Sequence, residues 1–275
     1  MTQGSVRKVF EYYRKFGVRD TGEQVLGLLL RSTFGPILRR HFATPSVAAL
    51  HFGSRKTTTE VTEVLKETSA LIDDTFVGQC RREFVPLMAE LEARKSASEL
   101  TYPAAYGVEA GTGFLIYALT RFHRPAVVLE TGVANGESTF LLLAALQANG
   151  KGTLHSVDIS ADAGCLLTAA EKRRWRFHAF GGSKAGFQRI LDGIPKIDLF
   201  IHDSDHSYSW HLFELQSAYE HMSATGVIAS DDCDKTYAFL DFCQAVQQKP
   251  VLLYDTRKVF GILPRQSGDR TATEI

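Results

Sequence analysis

Over the first third of the chain, positions suited to burial recur at helical spacing, as in Val25, Leu28 and Leu29 and again in Val61, Val64, Leu65 and Thr68. The breaks FGP, ATPS, FGSRK and TYPAAYG punctuate this pattern. Residues 1–110 are therefore expected to form a helical appendage, either a cap or a dimerisation region. From about residue 122 the rhythm changes to short apolar runs separated by amphipathic stretches. Runs at 126–130, 152–158, 176–181, 197–203, 226–232, 251–255 and 259–263 predict seven strands. Stretches such as STFLLLAALQAN, CLLTAAEKRR, KAGFQRILDG and YSWHLFELQSAYEHM predict the intervening helices. Alternating strands and helices of these lengths specify an α/β protein with a doubly wound, mostly parallel seven-stranded sheet. Only TRK separates the last two strands, too little for a crossover helix, so they should close the sheet as a C-terminal antiparallel hairpin. Residues 111–275 then form a Rossmann-like catalytic domain, with a loose tail RQSGDRTATEI.

Composition narrows the choice of partners. Lys+Arg and Asp+Glu each number 31, so no overall basic field points to nucleic acid or an anionic membrane surface. Cys80, Cys165, Cys233 and Cys243 show neither a CxxC nor a zinc-type spacing, and the N-terminus lacks the apolar core of a signal peptide. The run VLGLLL ends at Arg31 and is too short to span a bilayer. A cytoplasmic protein acting on a small molecule, without nucleic acid or membrane partners, is the expectation.

The stretch VVLETGVANGEST, residues 127–139, joins a strand-like run to a helix-like one through Gly132 and Gly136. A strand, a glycine turn and a helix start together make a ligand cradle, and in open α/β sheets that cradle lies at the carboxyl ends of the strands. Glu130 and Asp158 end the first two strands of this region and are expected to face the same crevice, one for an ammonium and one for a ribose diol. A bare strand-turn-helix junction also needs small residues, so the loop alone does not decide.

Taken together, Glu130, Gly132, Gly136 and Ser138 resemble the first motif of the class I S-adenosylmethionine-dependent methyltransferases, acid-x-Gly-x-x-x-Gly-x-Ser after a strand. That resemblance covers residues 122–265 and implies that Gly132, Ala134, Gly136 and Ser138 surround the methionine part of the donor. It further implies that Asp158 binds the ribose and that the GGSK segment, with Gly182 and Ser183, lies beside the adenine. The family has a Gly-Asp pair at that last position, where this chain has Gly182-Ser183. A NAD-linked oxidoreductase is the rival from another class, although the loop lacks the middle glycine of G-x-G-x-x-G. A non-catalytic scaffold on the same fold is a third reading.

Two further strand ends, FIHDSDHSYSW and GVIASDDCD, are acidic. Carboxylates gathered in one crevice without a basic neighbour need a cation or raised pKa values, and Mg²⁺ or another divalent cation on Asp203, Asp231 and Asp232 would meet that need. The pattern resembles the metal-dependent macrocin- and mycinamicin-type sugar O-methyltransferases, in which the corresponding acids hold the metal. Asp203 is thus expected beside both metal and donor. By the same resemblance the base is His206 or Asp205, and an imidazole pKa near 6.5 favours His206. His202 is expected to face away from Asp203 along its strand, and His211 to serve packing or surface. Asp231 and Asp232 also suit a helix cap, Tyr208 and Trp210 are candidates to line the acceptor pocket, and Cys233 lacks the partners of a nucleophile. The implied activity is Mg²⁺-dependent methylation of a sugar or natural-product hydroxyl by a homo-oligomer. The alternative acceptor is a catechol or phenol, for which the related pattern ends Asp-Asn rather than Asp231-Asp232.

Overall fold

The computed structural model describes residues 56–57, 61–255 and 258–265, all within the unit spanning Phe52–Ile275. The helical pattern around Val25 and the loose tail lie outside the described residues. Treating 1–110 as a separate cap stays a proposal.

A short strand β1 (Lys56–Thr57) precedes three helices, α1 (Val61–Thr68), α2 (Asp74–Ala97) and α3 (Ala110–His123). The alternating part follows as β2 (Val127–Thr131), α4 (Glu137–Asn149), β3 (Thr153–Asp158), β4 (Trp175–Ala179), α5 (Lys184–Asp192) and β5 (Ile197–His202). It ends with α6 (Tyr208–His221), β6 (Met222–Ser230), α7 (Ala238–Ala245), β7 (Val251–Asp255) and β8 (Lys258–Pro264). All seven expected strands are present, and the two-residue β1 adds an eighth at the edge. The sheet order is β1-β7-β8-β6-β5-β2-β3-β4. Every pairing is parallel except those of β8, which runs antiparallel to both β6 and β7.

Strand order reverses between the parallel neighbours β2 and β5, the switch point at which such sheets bind ligands. Right-handed crossovers place α4 and α6 on opposite faces of the sheet. Helix α4 packs with α2 and α3, and α6 with α5 and α7. All five residues of β2 are buried, as a strand covered on both faces requires.

One expected helix is absent. The segment CLLTAAEKRR forms turns and a single 3-10 turn over Glu171–Arg174. Its backbone is committed elsewhere: the Gly164 and Leu166 amides donate to the Ala134 and Asn135 carbonyls at 2.8 and 3.1 Å, tying the segment to the glycine loop. No helix among the described residues is long and apolar enough to cross a membrane.

The helices before β2 share the core of the sheet. Asp255, at the end of β7, accepts the Thr112 amide and hydroxyl at the start of α3. Phe84 of α2 meets Phe114 of α3 edge-on at 5.3 Å. Beside them Glu83 accepts from Arg121 Nε and the Tyr117 hydroxyl, both at 2.8 Å. The Arg121 guanidinium holds the Glu83 carboxyl at about 2, below the ordinary 4.5. A carboxyl depressed in the folded state contributes stability that is full above the unfolded pKa and is lost as pH falls through the folded one. In urea unfolding across pH, the advantage of wild type over Glu83→Gln should therefore shrink between about 4.5 and about 2; a constant difference would show that the ion pair contributes nothing.

Candidate active site

The glycine loop is held by backbone contacts across the switch point. Gly132 has φ of +83°, and a Cβ there would lie 1.9 Å from the Asp203 carbonyl oxygen, so only glycine fits. The Gly132 amide donates to the Val157 carbonyl and the Asp203 amide to the Thr131 carbonyl, each at 2.9 Å. Gly136 (φ +93°) opens α4, with Gly164 Cα 3.0 Å from where its Cβ would stand. Ala134 also sits at positive φ.

Asp158 holds this loop from the end of β3. Its Oδ2 accepts the Val133 and Ala134 amides at 2.9 and 3.2 Å, and its Oδ1 accepts the Ser160 amide at 2.9 Å. Oδ2 thereby uses both its lone pairs, and Oδ1 retains one further acceptor site. Asn135 ties the loop to the TYPAAYG segment, accepting the Tyr102 amide at 2.9 Å and donating to the Tyr102 carbonyl at 3.0 Å.

Glu130 does not face the crevice. Its side chain is fully buried beneath the loop, accepting from Ser138 at 2.6 Å and from Thr139 and Ser156 at 2.7 Å each. Burial raises its pKa, which the three hydroxyls oppose. Ser138 thereby points at Glu130, so both motif residues support the loop from below. The reason is geometric: the β2 register sets Glu130 opposite Ser156.

The acidic strand ends do converge on the crevice, but not as a three-carboxylate cage. Asp203, its side chain 36% exposed, follows β5; Asp231 is buried just after β6; Asp232 stands beyond it at φ +51°. Their oxygens do not gather one each within 4.8 Å. The sequence shows no basic residue beside Asp231, yet Lys258 of β8 reaches it. The buried Lys258 ammonium donates to Asp231 Oδ2 and pairs with Glu109 at 2.7 Å. Asp232 pairs with Lys235 at 2.9 Å and faces His206 Nε2 at 3.2 Å. Lys258 engages Asp231 Oδ2 and Lys235 engages Asp232 Oδ2, which leaves Asp231 Oδ1 buried without a hydrogen-bond partner and open to a cation such as Mg²⁺. Burial and Asp203 together raise Asp231, whereas His206 and Lys235 outweigh burial at Asp232 and lower it.

Both expected bases are engaged. Asp205 accepts the Ser207 amide at 2.9 Å in a local turn. His206 Nε2 is flanked by carboxylates of Asp232 and, at 3.6 Å, Asp203, which makes that nitrogen the proton-bearing one. His202, Glu214 and His211 are buried behind them, and burial lowers the pKa of all three histidines. Tyr208 donates to Asp241 and Trp210 to Glu214, at 2.8 and 2.6 Å. Cys233 is buried and its thiol pKa is raised, as befits an inert side chain.

Beyond β4, Gly182 (φ +70°) leads into Ser183, whose hydroxyl caps α5 by accepting the Gly186 amide at 3.1 Å. A cavity of about 540 Å³ opens there, lined by His178, Phe180, Gly181, Ser183, Arg189 and Ile190.

Residues 129–233, which run from this loop through the acidic strand ends, match a family model described as "Methyltransferase domain". No curated protein matches the chain by sequence. Two solved structures share the fold of this chain. The O-methyltransferase from Bacillus cereus in complex with SAH is 13% identical, with 75% of this chain and 97% of that chain covered at a TM-score of 0.51. Cofactor-bound Rv0187 from MTB is 17% identical, with 66% of this chain and 91% of that chain covered at 0.52.

Lys258 is the residue on which the site's charge balance rests. Its replacement by Met should cost roughly 3–5 kcal/mol in urea unfolding by leaving buried carboxylates uncompensated, and Lys258→Arg should recover part of the loss. A Met variant as stable as wild type would deny the lysine that role.

Proposed function

We propose that this chain is an S-adenosylmethionine-dependent O-methyltransferase acting on a hydroxyl of a small molecule, a sugar or other natural-product hydroxyl first. The observation that carries this reading is the junction of the Gly132 loop with Asp203, which sets a donor cradle and a half-exposed carboxylate at the same strand ends. The fold shared with an O-methyltransferase in complex with SAH supports it. Cytoplasmic location, homo-oligomeric assembly and a cap formed by residues 1–110 complete the proposal.

In this reading the donor lies along the loop amides of residues 133–136, with its ribose at Asp158 and its adenine toward Gly182 and Ser183. As the acceptor oxygen attacks the sulfonium methyl in line, the C–S bond breaks, the O–C bond forms and the hydroxyl proton passes to Asp203. Asp203 is preferred to Asp205 and His206 because those two already hold a turn amide and a pair of carboxylates. Most of the rate enhancement would come from positioning. A divalent ion such as Mg²⁺, held at the Asp231 and Asp232 carboxylates, would stabilise the charge developing on the acceptor oxygen.

Calorimetric titration with S-adenosylmethionine should give saturable one-site binding; absence of heat at two temperatures, with folded protein, would overturn the donor assignment. Asp203→Asn should lower turnover by about 100-fold or more while retaining donor binding, and Asp205→Asn by less than about tenfold. Equal losses would return proton acceptance to Asp205. Turnover should rise saturably with added Mg²⁺ and fall in EDTA, and turnover unchanged by either would remove the ion from this reading.

A further inference from the structure

The buried face of the HDSDHSYSWH stretch gathers three histidines that the methyl-transfer reading leaves unused. His202 ends β5, His206 lies in the following loop, and His211 is on the first turn of α6. One ligand nitrogen from each ring lies within 4.8 Å of the other two, a grouping that no other set of His, Cys, Asp or Glu achieves among the described residues. His202 and His211 are fully buried and stack at 3.8 Å between centroids, while His206 stands nearly perpendicular to His202, at 85°.

Each ring commits one nitrogen to an outer partner. His202 Nδ1 meets Glu214 Oε2 at 2.7 Å, His211 Nε2 meets the Ser230 hydroxyl at 2.7 Å, and His206 Nε2 faces Asp232. The opposite nitrogens, His202 Nε2, His206 Nδ1 and His211 Nδ1, are buried without a hydrogen-bond partner. Three such nitrogens are costly to bury bare. An outer carboxylate or hydroxyl that fixes the tautomer, with the inner nitrogen left open, is the arrangement that orients histidines on a metal.

The geometry points to a three-histidine site for a divalent transition-metal ion of the zinc type, held by His202, His206 and His211 between β5 and α6. Neutral imidazoles suit Zn²⁺, Co²⁺ or Ni²⁺ and discriminate against Mg²⁺, which prefers oxygen. Binding would draw the nitrogens to about 3.3 Å apart, the edge of a tetrahedron with bonds of about 2.0–2.1 Å, and would tilt the two stacked rings. Three protein ligands leave a fourth position open. The ion would join β5 to α6 and brace the loop that carries Asp203 and Asp205, whichever reaction that loop serves.

The test is a Co²⁺ titration of the full chain after removal of bound metal by a chelator, read by visible absorption. Co²⁺ should produce the intense d–d bands of a four-coordinate nitrogen site, saturating at one ion per chain, displaced by Zn²⁺ and untouched by excess Mg²⁺. His211→Gln should abolish the bands, and His206→Gln, in the more accessible loop, does so independently if the first variant misfolds; Asp231→Asn should keep them. Failure to bind stoichiometric Co²⁺ or Zn²⁺ overturns the site. Bands that survive both histidine variants, or vanish only with Asp231→Asn, overturn it too by assigning the ion to the carboxylates. Because the readout is a spectrum and a stoichiometry, failure here leaves the methyl-transfer reading standing, and failure of that reading leaves this one.

Discussion

The site depends on one close approach of two backbones. Gly132 and Asp203 leave adjacent parallel strands at the point where the sheet reverses its order, and no Cβ fits between them. The bonds from Gly132 to Val157 and from Asp203 to Thr131 continue the sheet for one more residue on either side of β2. This contact fixes the glycine loop relative to the loop that carries Asp203. Asp158 then holds the loop's amides, and Glu130 supports it from below through three hydroxyls. A motif acid at a strand end can thus be a structural anchor rather than a ligand contact, according to which face its register selects.

Charge compensation is the second constraint. Asp203, Asp231 and Asp232 stand at neighbouring strand ends, and burial raises the pKa of Asp231. Lys258 on β8 and Lys235 after β6 oppose that rise with positive charge paired to Asp231 and Asp232. Lys258 reaches the site because β8 inserts between β6 and β7, making the antiparallel hairpin an electrostatic part of the crevice as well as the closing edge of the sheet. Behind the carboxylates, the histidines form a separate layer whose outer nitrogens are oriented by Glu214, Ser230 and Asp232. The two layers share the loop at 203–207 and so are mechanically coupled.

The chain's own pattern determined much of this. Period-two and period-3.6 repeats are local properties, so the seven strands, most helices, the hairpin and the glycine loop were legible residue by residue. Local pattern failed at CLLTAAEKRR, where Gly164 and Leu166 spend their amides on the neighbouring loop rather than on a helix. What only the tertiary structure decided are the pairings between residues far apart in sequence. Lys258 lies 27 positions from the aspartate it neutralises, and Glu130 meets Ser156 across 26. His202 and His211 were read as facing away or merely packing, because neither strand alternation nor helix periodicity shows that α6 folds back to bring its first turn against the end of β5. Sequence sets which residues stand at the strand ends; register, crossover hand and the insertion of β8 set which charges and lone pairs meet there.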